Sequence, residues 1–265
     1  MEDFYAKLLE TAQVKRGDII DVASDLLDMM LLFRERHEKF DADLLLDALK
    51  KAVGEEGTVL IRTFNWSFCH GVPFHYKTTP SQVGMLGNIA LKRPDFKRTK
   101  HALYSWCVWG KEQEPLTEMD PPDSFGDGSI FAFLEEHNAD MLRIGNSNSP
   151  ALTSVHRSEQ RANIPERFIK YFTGRYTGSD GICREKTYSM FVKDLNYDIR
   201  VRFDDDIALV NTFLERKGVV ISQYQYQGIV IDKIDLRSLG EVAYQDFLTG
   251  KWGDWMECSR KDSAG

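Results

Sequence analysis

Ile19-Ile-Asp-Val-Ala-Ser24, then Asp41-Ala-Asp-Leu-Leu-Leu-Asp-Ala-Leu-Lys-Lys-Ala-Val53, then Thr58-Val-Leu-Ile-Arg-Thr63 decide the fold class. The first and third are short apolar runs of strand length. The middle stretch repeats leucine at helical spacing, is acidic at its start and basic near its end, and stops at Gly54. Strand, helix, strand in that order predicts a βαβ unit and an α/β core.

Working outward, residues 2–13 read as an amphipathic helix that Gly17-Asp18 turns into the first strand. Residues 65–80 are aromatic, polar and long enough to be a functional loop. Residues 81–93 read as a helix entered through Pro80, and residues 103–108 as a strand. Residues 121–129 form a turn-rich loop into a helix over 130–137, with Ser129 as its N-cap. A strand over 140–145 leads through the loop 146–150 into Thr153-Ser-Val-His156-Arg-Ser-Glu159. Beyond it, strands are expected over 188–195, 199–203, 219–222 and 227–231, with a helical pattern over 204–216. Hairpins of this kind joining the sheet predict a mixed central β-sheet flanked by helices. No repeat or linker divides the chain, so residues 1–265 are expected to form a single domain, with the tail from 252 loosely held.

Composition narrows the function classes. Lys plus Arg number 34 against 41 Asp plus Glu, a net charge of −7. That balance argues against nucleic acid and suits a cationic small molecule such as an amine, although mild acidity is also ordinary for cytoplasmic proteins. No run approaches the roughly 20 apolar residues of a membrane span, and the start lacks the pattern of a secretory signal. Cys69, Cys107, Cys183 and Cys258 lie far apart with no CxxC. They predict neither a zinc site nor a disulfide framework, and free thiols point to the cytoplasm. No metal is expected.

His156 and Glu159 are three residues apart, so on a helix they share a face, and Thr153 falls on it too. A neutral imidazole held by a carboxylate can take a proton from a nucleophile near pH 7. The competing reading is a solvated helix start in which Glu159 favours the dipole. Ser24-Asp25 ends the first strand and reads either as a capped turn or as a hydroxyl and carboxylate that bind ligand. His101 and Ser105 read either as a solvated loop or as the mouth of the pocket. Asp204-Asp-Asp206 reads as a helix start or a site for an aminated sugar. Gly126-Asp-Gly-Ser129 lacks a P-loop ending and reads as a turn. Cys107 reads as buried and inert.

Taken in order, these pieces resemble the aminoglycoside 3-N-acetyltransferase, or antibiotic N-acetyltransferase, family. The resemblance runs over about 17–203, with weaker echoes beyond. It is carried by Gly17-Asp-Ile-Ile-Asp-Val-Ala-Ser24, Gly57-Thr-Val-Leu-Ile-Arg-Thr63-Phe and Thr79-Pro-Ser81-Gln-Val-Gly84. Arg98-Thr-Lys-His101-Ala-Leu-Tyr-Ser105, Phe125-Gly-Asp-Gly-Ser129 and Thr153-Ser-Val-His156-Arg-Ser-Glu159 complete the set. The resemblance implies an α/β fold unlike that of the common GNAT acetyltransferases. It implies acetyl transfer from acetyl-CoA to an amine of an aminoglycoside or amino sugar, with His156 as base and Glu159 assisting. It places CoA contacts near Ser24, Ser81, His101 and Ser105. The chain departs from the family pattern at Ala23 and Asp25 (histidine and serine in the family) and at Arg62 and Ala102 (both proline). It also carries a helical stretch over 28–39 where a glycine is usual. Thr153 is a candidate oxyanion donor, and Asp25 and Asp204 are candidate acceptor contacts. A different acyl group, a hydroxyl acceptor, and a non-catalytic binding relative are the alternatives. The exposed strands near the end leave a homodimer open.

Overall fold

The computed structural model describes residues 2–145, 151–201 and 207–261. The chain opens with α1 (Glu2–Thr11), β1 (Ile19–Ser24), α2 (Leu27–Glu35), α3 (Ala42–Val53) and β2 (Thr58–Arg62). Asp41 caps α3 by accepting from Asp43 N at 3.0 Å, and Gly54, at φ +65°, ends it. Leu45, Leu46, Leu49 and Val53 turn inward from α3. β1 and β2 then lie side by side and parallel, Ile20 opposite Val59, as the sequence predicts.

A 3-10 turn (Ser67–His70), β3 (Phe74–His75), α4 (Met85–Ala90), β4 (Lys97–Arg98), β5 (Trp106–Gly110), α5 (Gln113–Glu118), α6 (Ile130–Glu136) and β6 (Asp140–Ile144) follow. The rest of the described chain holds α7 (Val155–Ala162), β7 (Arg167–Thr177), β8 (Cys183–Lys193), β9 (Tyr197–Val201), α8 (Ile207–Lys217), β10 (Ile221–Tyr226), β11 (Ile229–Asp235), α9 (Leu236–Leu248) and β12 (Met256–Arg260).

The main sheet runs β10-β11-β6-β1-β2-β5-β4. β6, β1 and β2 are parallel; β5 and β11 flank them antiparallel, so the sheet is mixed. Successive side chains of a strand face opposite ways, and two apolar layers result. Val59 and Ile61 pack with α1, α2 and α3, while Leu60, Trp106 and Met141 pack with α6 and α9. The parallel strands end together near Ser24, Arg62 and Ile144, with β2 leaving to one side of β1 and β6 lying on the other. In open α/β sheets, ligands gather at such a reversal.

Several expectations give way. The helix expected over 81–93 starts only at Met85, because Gly84 sits at φ +94°. The strand expected over 103–108 starts at Trp106, because the His101 ring accepts from the N–H groups of Leu103 and Tyr104 and bends the chain there. Of the described strands after α7, β10 and β11 join the main sheet, while β7 and β8 form a separate small sheet with β3, and β9 pairs with β12 in another. The tail is not loose over the described residues. β12 pairs with β9, and Trp255 is buried with its indole N–H on Asp246 at 2.9 Å. The expected loop 146–150 and Asp204 lie outside the described residues.

Candidate active site

α7 is not a solvated helix. Arg157 donates to Glu135 and to the Phe125 carbonyl, each at 2.9 Å, and Ser158 Oγ donates to Gly240 O at 2.9 Å. Residues 157 and 158 therefore face α6 and α9, and this rotation fixes where residue 156 points. His156 Nδ1 lies 2.7 Å from Glu159 Oε2. A carboxylate only accepts, so in the neutral ring the proton sits on Nδ1 and the lone pair on Nε2. Among the described residues nothing hydrogen-bonds Nε2. The imidazole is 31% exposed and the carboxylate 3%, while Phe125 backs the ring edge-on at 5.6 Å.

Burial pushes the Glu159 carboxyl up, but the neighbouring His156, with Arg167 and Lys193, outweighs it and holds it below the ordinary carboxylate range. Arg167 Nε stands 2.9 Å from the same Oε2 as an ion pair, without its N–H directed into a hydrogen bond.

A cavity of about 550 Å³ opens at the carboxyl ends of β1, β2 and β6. Its polar wall is Ser24, Asp25, Arg62, Arg143 and Thr153; Leu27, Met30, Phe64, Trp66 and Met85 supply much of the apolar wall. His156 stands beside this wall rather than on it. Its backbone N–H donates to Thr153 O at 3.2 Å, so wall and imidazole belong to one turn. Gly145, at φ +92°, lets β6 press against Asp25, whose carbonyl would lie 1.9 Å from a Cβ there.

The two arginines of the wall belong to a row of buried charge. Arg62 binds Asp21 through Nε and Nη2, and Trp106 Nε1 donates to the same carboxylate at 2.9 Å. Arg143 binds Asp232, and Asn211 bridges them. Arg62 also donates to Ala151 O at 2.6 Å, which fastens the chain just before Thr153. Sequence reading missed this row. Its signal is a lone charge inside an apolar strand, as in Ile19-Ile-Asp21-Val or Thr58-Val-Leu-Ile-Arg62, which burial tolerates only in pairs.

Of the expected site residues, Ser24, Asp25 and Thr153 line the cavity, with His156 and Glu159 beside it. Asp25 Oδ1 also accepts from Leu27 N at 3.0 Å, so it turns the chain into α2 while facing the cavity. Ser81 is buried, accepts from Val83 N at 3.2 Å, and shapes the turn that presents Val83 to Met85. His101 and Ser105 are not at the pocket mouth. His101 is 4% exposed, and burial pushes it down to about 3, so it is neutral. Ser105 is fully buried between Thr63 and Arg98. Cys107 is buried and its thiol is pushed up by burial to about 12. Among the described residues no cluster of three metal-binding side chains occurs. No helix among them is long and apolar enough to cross a membrane.

Known proteins share this fold. No curated protein matches the chain in sequence. The aminoglycoside acetyltransferase AAC-IIIb, solved as a binary complex with CoASH, superposes with a TM-score of 0.74 at 20% identity, covering 96% of this chain and 97% of that one. AAC(3)-Xa gives 0.73 at 18%, with 93% and 92% covered, and YokD from Bacillus subtilis 0.70 at 18%, with 94% and 98% covered. AAC-VIa bound to sisomicin gives 0.72 at 18%, with 92% and 96% covered. At these identities the likeness establishes the fold. The family described as aminoglycoside 3-N-acetyltransferase matches residues 35–245, and the chain belongs to that family of acyltransferases.

Proposed function

We propose that the protein transfers an acetyl group from acetyl-CoA to an amine of an aminoglycoside or amino sugar, with His156 as general base. The observation that carries this is the His156–Glu159 contact, which commits Nδ1 and leaves Nε2 for a substrate. The CoASH complex of AAC-IIIb and the sisomicin complex of AAC-VIa support the choice of donor and acceptor.

An amine cannot attack while it is an ammonium. His156 Nε2 takes the proton, and Glu159 stabilises the imidazolium. Such assistance contributes roughly 10²- to 10⁴-fold. The nitrogen–carbon bond forms, the carbon–sulfur bond breaks, and the thiolate leaves. Thr153, on the cavity wall next to His156, offers a hydroxyl to the carbonyl oxygen as charge develops there. One such donor is worth roughly 3 kcal/mol. Ser24 and Asp25 line the cavity, and Asp25 offers a carboxylate to an ammonium. The apolar part of the wall, from Leu27, Met30, Phe64 and Trp66, would take the pantetheine arm. Ser81 shapes that wall, while His101 and Ser105 hold its supporting layer. We place the reaction in the cytoplasm, which suits the four free thiols.

A larger acyl group is the second reading. Leu27, Met30 and Met85 stand 58%, 41% and 40% exposed, and all three line the cavity, so the rim is more apolar than an acetyl group requires.

Calorimetry with acetyl-CoA, followed by thiol release across a panel of amino sugars and acyl-CoA lengths, tests the proposal. Binding with acetyl-dependent thiol release on an amino sugar is expected. No CoA binding, or turnover only with hydroxyl acceptors, would reject it.

A further inference from the structure

The geometry points to Arg167 as a positioning residue that holds the charge of Glu159 and so keeps His156 in its proton-accepting form. The inference rests on His156 being the base of the proposed transfer.

Glu159 Oε2 meets two partners at once, His156 Nδ1 at 2.7 Å and Arg167 Nε at 2.9 Å. The carboxylate and the guanidinium are both nearly excluded from water, at 3% and 7% exposure. A buried carboxylate facing imidazole alone would be neutralised most readily by a proton on the ring, giving an ion pair. That ion pair is useless for catalysis at the start of the cycle, because an imidazolium cannot accept a proton. Arg167 already balances the carboxylate, so the ring can remain neutral. When the ring takes the amine's proton, the same carboxylate stabilises the new charge.

The groups facing Glu159 come from three elements. His156 lies on α7 with it, Arg167 opens β7, and Lys193 faces it from β8, opposite Arg167 in register. Lys193 is turned toward Ile199 O, 3.2 Å from its Nζ, so it adds charge at longer range. Glu166, buried with Oε2 unpartnered, precedes Arg167 in the chain. The described hydrogen bond of the Arg167 guanidinium is long, 3.4 Å from Nη1 to Phe191 O. Its main described partner is therefore the Glu159 carboxylate.

The test is the pH profile of kcat/KM for wild type, Arg167→Lys and Arg167→Met. In Arg167→Met the acid limb moves to higher pH by about one unit, the order expected when a neighbouring cation is lost. Activity on the acid side then falls about tenfold per pH unit and recovers as the pH is raised. Arg167→Lys keeps a cation and restores most of the profile. If Arg167→Met does not fold, Arg167→Gln carries the same expectation, read by NMR titration of the His156 ring protons, which requires no turnover. An unmoved acid limb with uniformly lower activity, or an unmoved ring titration, would overturn the inference. Failure of the base assignment itself shows separately: His156→Ala would then retain acetyl transfer whatever Arg167 does.

Discussion

Asp21 and Arg62, on neighbouring parallel strands, form a bidentate ion pair inside the sheet, with a shortest contact of 2.6 Å and exposures of 1% and 5%. Trp106 shares the carboxylate, and Arg62 reaches on to Ala151, which lines the cavity. One pair therefore joins sheet stability to the placement of Thr153 and His156. Breaking a buried pair strands a charge. Asp21→Asn and Arg62→Met are each expected to lower unfolding free energy by about 3 to 5 kcal/mol. Urea denaturation checks this, and the double variant should lose less than the sum of the singles.

What the sequence made legible follows from where its signals are strong. β1, α3 and β2 announce themselves because apolar periodicity and caps agree. The His156–Glu159 pair was legible because helical spacing alone sets it. Arg167 was not, because it meets Glu159 from a different element, and β7 itself, Arg167-Phe-Ile-Lys-Tyr-Phe-Thr-Gly-Arg-Tyr-Thr177, is mostly exposed and shows no clean alternation. His101 illustrates the opposite failure. Its family-like motif suggested a pocket residue, yet its ring caps a backbone turn, a role no spacing rule reveals.

Gly145 should tolerate no side chain. Its φ of +92° costs about 1 to 3 kcal/mol for an L-residue, and a Cβ would lie 1.9 Å from the Asp25 carbonyl. Gly145→Ala is expected to lower the melting temperature and to weaken CoA binding together, since Asp25 must shift. Thermal shift with and without CoA measures both.

His101 makes stability depend on pH. Burial lowers it from 6.5 to about 3, so between those values the unfolded chain binds a proton that the folded one does not. Its contribution is complete above about 6.5 and is lost as pH falls toward 3. The melting temperature of wild type should therefore fall more steeply over this range than that of His101→Asn. Equal slopes would show that the ring stays accessible to protons.

Trp255 ties the end of the described chain to the body. It is buried, meets Phe213 edge-on and Phe247 at a tilt, and donates to Asp246. Trp255→Ala is expected to cost about 3 to 5 kcal/mol, measured by chemical denaturation. A neutral result would return the tail to the loose segment that the sequence suggested.

The central claim is that His156 Nε2 accepts the proton of the attacking amine. Steady-state thiol release by His156→Ala, with acetyl-CoA and an accepted amino sugar, tests it most directly. The account predicts a loss of at least about 10²-fold in kcat, with CoA binding and melting temperature close to wild type. Undiminished turnover in a folded His156→Ala protein would contradict it.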